Sequence, residues 1–459
     1  MDYSEKRDLI LNGKMYKVLL ILSGPIMLNN LIQTIYNLTD TYFVSILGDT
    51  EVAAIGFIWP VIFFMISIGL GVSIAGTALI SQYTGSHDLE SSKDVAGQVI
   101  SFSFLFSLVL GILGAIFAPL IVKLMGGEGD LYTLASSFLR IIFIGMPAMF
   151  TYFAFNSIKQ GQGDTVTPMK YSALSVGLNI LLDPIFIFVF DFGIKGAAIA
   201  TVLARGTFSI YAVYTLFLKG DGITLKLRHL KLKKKLLKKI IRVGLPSSIG
   251  QSTAALGFIV LNIFVYSFGE YVMNAFTLGN RINSLILMPA MGIGNALATI
   301  VGQNLGANDI KRAKKAVKTS ALLSTIALVL GGSIIFYFAR DVIDIFTDSE
   351  KILNQASFYL RLISASLPLM GFFQVFIGTF QGSGHTVSAM VIMMGRLWFF
   401  RIPLIIIFKN FTNLGSKSVW FAMVSSNALI CLVGLGIYLT GRWQTKIVKN
   451  NSEDFKLDK

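Results

Sequence analysis

One cysteine, Cys431, stands in a chain of 459 residues. An intrachain disulfide cannot form, and a cysteine-based metal site lacks ligands. Histidine is almost as scarce. His87, His229 and His385 fall in expected loops, which argues against a histidine-centred enzyme within the apolar runs. Charge is thin as well: 14% of the residues are charged, against about 25% in soluble proteins. What is there instead is apolar. Hydrophobic residues make up 54% of the chain, and the mean hydropathy is +0.71. Runs of eighteen or more such residues recur, each long enough to cross a bilayer as a helix. No cleavable secretory signal is expected, because Met1 to Lys17 is polar and basic and the run after it is too long. The fold class that remains is an all-α polytopic membrane protein.

Twelve spans are expected. The first six lie at about 18–47, 53–80, 96–122, 132–157, 168–190 and 195–218. The second six lie at about 243–268, 274–302, 317–339, 352–380, 387–408 and 418–440. The net charge of +15 is concentrated between spans. Lys6, Arg7, Lys14 and Lys17, the bases of 219–242, Lys311 to Lys318, and Arg442, Lys446 and Lys449 fall on one side. The positive-inside rule makes that side cytoplasmic, with both termini there and the chain in the cell (inner) membrane. Nucleic acid is not an expected partner. Residues 226–239 read as an amphipathic surface helix, with Leu225, Leu227, Leu230, Leu232, Leu236 and Leu237 at the lipid interface. The acid-rich loop with His87, Asp88, Glu90 and Asp94 breaks the charge rule. Arg205, Arg281, Arg396 and Arg401 lie within or near span ends, where snorkelling is expected.

The two halves repeat. Pro25 and Pro246 stand 221 residues apart, and the same offset pairs Gly48 with Gly269, Gln82 with Gln303 and Gly85 with Gly306. It also pairs Asp88 with Asp309, Pro147 with Pro368 and Gln160-Gly161 with Gln381-Gly382. Six spans per repeat return the chain to the same side, so the repeat is parallel. Two pseudo-symmetric six-helix bundles are expected, an architecture of alternating-access transporters. The expected division is 1–218 for the first bundle, 219–242 for a basic linker, 243–441 for the second bundle and 442–459 for a polar tail.

Buried acid breaks the symmetry. Asp40 interrupts the first span and shares a helical face with Tyr36, Asn37, Gln33 and Asn29 or Asn30. A carboxylate at the centre of a membrane helix costs about 2.5–3.5 kcal/mol, so it marks a site by default. Asp183 lies at similar depth in the fifth span, with Asn179 one turn before it and Pro184 after it. Pro184 frees the carbonyl of Ile180, and freed carbonyls serve as cation ligands in broken transporter helices. The register places Leu261 opposite Asp40 and Leu404 opposite Asp183. Bundle architecture alone would need the acids twice. One proton or one sodium ion could bridge the pair, with Asn179, Thr201 and carbonyl oxygens completing a sodium shell.

These residues resemble a known family. Gly24-Pro25, Asp40-Thr41-Tyr42-Phe43-Val44, Gly48, Gly85, Gln160-Gly161 and Gly163-Asp164-Thr165 carry the likeness. Asn179-Ile180-Leu181-Leu182-Asp183-Pro184 and Gly196-Ala197-Ala198-Ile199-Ala200-Thr201 extend it. The chain is similar to the multidrug and toxic compound extrusion (MATE) family over nearly its whole length. The resemblance implies a secondary active exporter of cationic and amphipathic drugs, driven by H⁺ or Na⁺ antiport. It implies a monomer that needs no cofactor and no catalysis. The implied cation site is Asp40, Asn179, Asp183 and Thr201, and the implied substrate chamber is Gln33, Tyr36, Asn37 and Asn156. Pro25 corresponds to a bending proline. NorM-type members carry further acids on the seventh and tenth spans. Here those spans offer Gln251, Ser252, Thr253 and Gln374, which leans toward the DinF-like mode. Two other readings exist. Arg281, Arg396 and Arg401 would suit a lipid-linked saccharide flippase of the same superfamily. Gly161-Gln162-Gly163-Asp164, with Asp40 as partner acid, matches the string of intramembrane aspartyl proteases.

Overall fold

The computed structural model describes residues 3–218 and 222–448. Of the expected linker, residues 219–221, and of the expected tail, residues 449–459, lie outside the described residues. Lipid offers no partner for backbone N–H and C=O groups, so apolar runs of this length must satisfy them internally. Among the described residues every regular element is accordingly helical. A short α1 (Tyr3–Asn12) precedes α2 (Met15–Ser45), α3 (Asp49–Gly85), α4 (Leu89–Leu124) and α5 (Gly129–Gly161). Next come α6 (Val166–Pro184), which runs on as a π-helix (Ile185–Val189), and α7 (Ile194–Leu218). The second half holds α8 (Lys234–Tyr266), α9 (Glu270–Gly306), α10 (Ile310–Asp344) and α11 (Glu350–Gly382). It then holds α12 (Thr386–Met394), a π-helix (Gly395–Arg401), α13 (Ile402–Phe411) and α14 (Lys417–Leu439). With the π-linked segments joined, twelve helices are long and apolar enough to cross a membrane. Large apolar side chains such as Ile112, Ile210, Ile263 and Leu432 face outward, as a lipid-facing surface requires.

The 221-residue register has a spatial counterpart. Asp88 caps α4 by accepting from the Ser91 amide at 3.0 Å, and Asp309 caps α10 by accepting from the Arg312 amide at 2.8 Å. Gln82 Nε2 donates to the Gly382 carbonyl at 3.2 Å, and Gln303 Nε2 donates to the Gly161 carbonyl at 2.9 Å. Those four residues are two register pairs, so each half makes the same bond to the other. Gly85 and Gly306 permit the approach. A Cβ on Gly85 would lie 1.9 Å from the Gln303 carbonyl oxygen, and one on Gly306 would lie 2.0 Å from that of Gln82.

The helix α1, the start of α10 and the last described residues reach this seam, where the Ile447 amide donates to Gln82 Oε1 at 2.9 Å. In α1, Arg7 donates to the carbonyls of Thr84 and Gly85 at 2.9 and 3.0 Å. From the second half, Arg312 donates to the carbonyls of Ile10 and Gly13 at 2.9 and 2.6 Å. Residues 226–239 do not form the expected surface helix. Leu227–Leu230 is one 3-10 turn, and α8 already begins at Lys234. Leu225 is buried while Leu227 and Leu232 are exposed, so the leucines do not share a lipid-facing stripe. The reason is Gln98 on α4. Its amide donates to the carbonyls of His229 and Lys231 at 3.1 and 2.8 Å and accepts from the Lys233 amide at 2.6 Å. Those backbone groups are thus committed to a side chain rather than to a helix. The acids that broke the charge rule pair with this linker: Glu90 with Arg228 at 2.6 Å, and Asp94 with Lys233 at 2.5 Å.

Candidate functional site

A cavity of about 850 Å³ lies between the bundles and is lined from both. Its first-half wall is built on α2, α3, α5, α6 and α7. The polar stripe of α2 faces it: Gln33, Tyr36, Asn37 and Asp40 are all lining residues, as is Asn156 on α5. Gln33 Nε2 donates to Ser172 Oγ on α6 at 2.8 Å, and Asn156 Oδ1 accepts from Gln160 at 3.0 Å. Tyr36 is buried, and its hydroxyl lies 3.0 Å from Thr201 Oγ1 on α7. These bonds tie α2 to the two helices that carry the other expected ligands.

Asp183 is fully buried behind this wall, at 0% exposure, and it does not line the cavity. Asn179 does line it, and its Nδ2 donates to Asp183 Oδ1 at 3.0 Å. Three buried oxygens here have no hydrogen-bond partner: Asp40 Oδ1, Asn179 Oδ1 and Asp183 Oδ2. Buried acceptors without partners are costly, and oxygens of this kind are the ligands that a proton or a hard cation satisfies. Among the described residues, no group of three or more His, Cys, Asp or Glu side chains could hold a metal ion. Pro184 closes α6 one residue after Asp183, and the wider π-helix follows. Pro25 lies inside α2, which runs as a single helix from Met15 to Ser45.

The arginines correct the snorkelling expectation. Arg281 is exposed, but Arg205, Arg396 and Arg401 line the cavity. Arg205 lies over the Tyr36 ring, 5.1 Å from its centroid, and Arg396 lies 4.4 Å from the Phe373 centroid. Arg401 is 2% exposed and donates to Ser426 Oγ at 3.1 Å and Asn427 Oδ1 at 2.8 Å. The spacing of Thr201 and Arg205, one turn apart, could have placed Arg205 on the site's face. Asn427 on α14 was not singled out in the sequence. The polar pair Ser426-Asn427 in an apolar run was the available signal. Gln251 and Gln374, the residues standing where acids were absent, also line the cavity.

The protease string resolves into a helix cap. Asp164 accepts from the Thr167 amide at 3.0 Å and the Thr167 hydroxyl at 2.8 Å, and Lys6 pairs with it at 3.0 Å. Burial pushes this carboxyl up, but the Thr167 bonds and Lys6 outweigh it and hold the carboxyl below its usual range. Such an acid stays ionised and committed to structure.

The MatE family model matches residues 25–185 and 246–407, one match in each half. The probable multidrug resistance protein YoeA of Bacillus subtilis is 30% identical over 90% of this chain and 91% of its own. The multidrug export protein MepA of Staphylococcus aureus is 25% identical over 92% of this chain and 94% of its own. Among solved structures, a transporter of the MOP superfamily from Pyrococcus furiosus, described as having a binding pocket of reversed polarity, superposes with a TM-score of 0.88. It is 29% identical and covers 95% of this chain and 98% of its own. An outward-facing multidrug resistance MATE transporter superposes at 0.86, with 30% identity, over 95% of this chain and 97% of its own. The relatives and fold neighbours are transporters, and this chain is not an enzyme. Matched in both halves and aligned end to end with these proteins, the chain belongs to the MatE family, the multidrug and toxic compound extrusion transporters.

Proposed function

We propose that the chain exports cationic and amphipathic small molecules from the cell by antiport with H⁺ or Na⁺. The observation that carries this reading is the set of partnerless oxygens of Asp40 and Asn179 on the cavity wall and of Asp183 behind it, the carboxylates having no register mates in the second half. The names of the relatives, multidrug export and multidrug resistance, support the substrate class. In this reading Asp40, Asn179, Asp183 and Thr201 hold the coupling cation, while Gln33, Tyr36, Asn37 and Asn156 contact the substrate. Cation and substrate oppose each other because α2 serves both: it carries Asp40 and most of the substrate face. A cation drawing Asp40 toward Asp183 shifts α2 against α6, with Pro25 and Pro184 as the places where the helices yield. Linkage then requires that substrate binding lower the affinity for the cation by the same factor. Residues 1–218 and 243–441 act as the two bodies, 219–242 as their cytoplasmic connection, and one chain in the cell membrane suffices.

The test is drug efflux by purified protein in vesicles, with a proton or a sodium gradient imposed separately, for Asp40→Asn and Asp183→Asn. Both variants should lose gradient-driven ethidium efflux by roughly tenfold or more, the loss of at least about 1.4 kcal/mol expected when one charged ligand is removed. Undiminished efflux by either well-folded variant sinks the proposal.

A further inference from the structure

We propose that Arg396 and Arg401 form an oxyanion-binding subsite on the second-half wall of the cavity, one that takes the carboxylate or phosphate group of an amphipathic substrate. This rests on the reading of the cavity as the transport chamber. Both arginines lie on the π-helix Gly395–Arg401. In an α-helix, residues five apart diverge by about 140°. In a π-helix the i and i+5 positions are hydrogen-bonded neighbours, so the π geometry turns both guanidinium groups to one face. Both line the cavity.

Their donors exceed their partners. A guanidinium has five N–H donors. Arg401 uses some of them on Ser426 and Asn427. Arg396 has one contact to a weak acceptor, Met370 Sδ at 3.3 Å, and its buried Nε has no partner. No salt bridge reaches either residue among the described ones, and Asp40, across the cavity, is the one acid among the lining residues. A buried charge without a counter-charge costs several kcal/mol, and here two of the same sign share one wall. The register puts Ser175 and Ile180 at the matching places in the first half, so the bundle does not need arginine there. Planar forks on a partly apolar wall with Phe373 suit a bidentate oxyanion carried on an amphipathic body.

The test uses norfloxacin, which carries a carboxylate, and its methyl ester, which does not. Binding of each to the full chain is read by drug fluorescence in nanodiscs of phosphatidylcholine. The wild type should prefer the acid by roughly tenfold, and Arg396→Gln and Arg401→Gln should each bring the ratio toward one. Arg401→Lys, which keeps the charge but loses the fork, should fall between. Arg396→Gln carries the test if Arg401→Gln does not fold. Equal binding of acid and ester by the wild type overturns the proposal, as does a ratio that survives in both glutamine variants. A preference erased by adding phosphatidylglycerol supports the subsite with a lipid phosphate as occupant. A preference that phosphatidylglycerol leaves intact supports it with a soluble substrate. Binding is read without an ion gradient, so failure here leaves the efflux test of Asp40 and Asp183 standing, and the reverse.

Discussion

The first half of the molecule sets Asp40 on the cavity wall with Asp183 fully buried behind it, and the second sets Arg396 and Arg401 on the wall. Yet the halves share one register, cap α4 and α10 with the same residue type, and exchange the same glutamine bond. The difference teaches where the selective pressure lies. What repeats is the seam and the capping, which any two-bundle fold of this kind needs. What does not repeat is acid: the carboxylates belong to the first half, while arginine lines the cavity from both, Arg205 in the first half and Arg396 and Arg401 in the second.

The harshest way to break that comparison is to put an acid in the other half. Leu261, the register mate of Asp40, is fully buried. Leu261→Asp should destabilise the protein by about 3 kcal/mol or more, because the new carboxylate has no partner. Thermal unfolding in detergent reads this. An unchanged transition would mean that the bundles tolerate acid equally, and the asymmetry would then say nothing about function.

The seam offers a finer test. Gly85→Ala and Gly306→Ala each force a methyl group onto a carbonyl of the opposite half, and each should cost about 1–3 kcal/mol. The two losses should be similar. A large loss at one glycine and none at the other would show that the symmetry of the seam is only apparent. Gly24 serves as the control, since a Cβ there meets nothing within 4 Å.

The smallest expected effect separates the two loops after α5 and α11. Asp164 and His385 are register mates. Asp164 is held below its usual value, so its contribution is full above about pH 3.8 and is lost as pH falls through its lowered value. His385 is held below 6.5 by burial, with a hydrogen bond at Ser383 opposing. The folded state therefore resists its protonation, and stability falls as pH drops from about 6.5 toward the lowered value. Replacing Asp164 with Asn should cost about 1 kcal/mol at neutral pH, a difference that shrinks only in strong acid. His385→Gln should flatten the stability profile just below pH 6.5. Unfolding midpoints across pH 3–8 check both, and a His385→Gln profile that parallels the wild type would remove that half of the contrast.

The spans and the repeat were legible because they depend on composition and on order along the chain. The stripe from Gln33 to Asp40 was legible for the same reason, since helical spacing alone places it on one face. The arginines were not. A single charge in an apolar run looks the same whether it snorkels to the headgroups or turns inward, and only neighbours decide. Arg401 finds Ser426 and Asn427 on another helix, 25 and 26 residues away. The linker misled for a related reason. Its leucines had a plausible surface-helix pattern, but Gln98, more than a hundred residues earlier, takes its backbone groups. The π-helices left no trace in hydropathy, because a π turn changes the angle between side chains without changing which ones are apolar.

The crossed glutamines also set how the halves can part. Each amide ends on a main-chain oxygen of the opposite bundle, so separating that pair exposes no ion and trades two neutral bonds for water. The chain thereby carries its own ruler. Spin labels at Ser86 and Ala307, twins that flank the crossing, would lengthen their distance only when this gate swings.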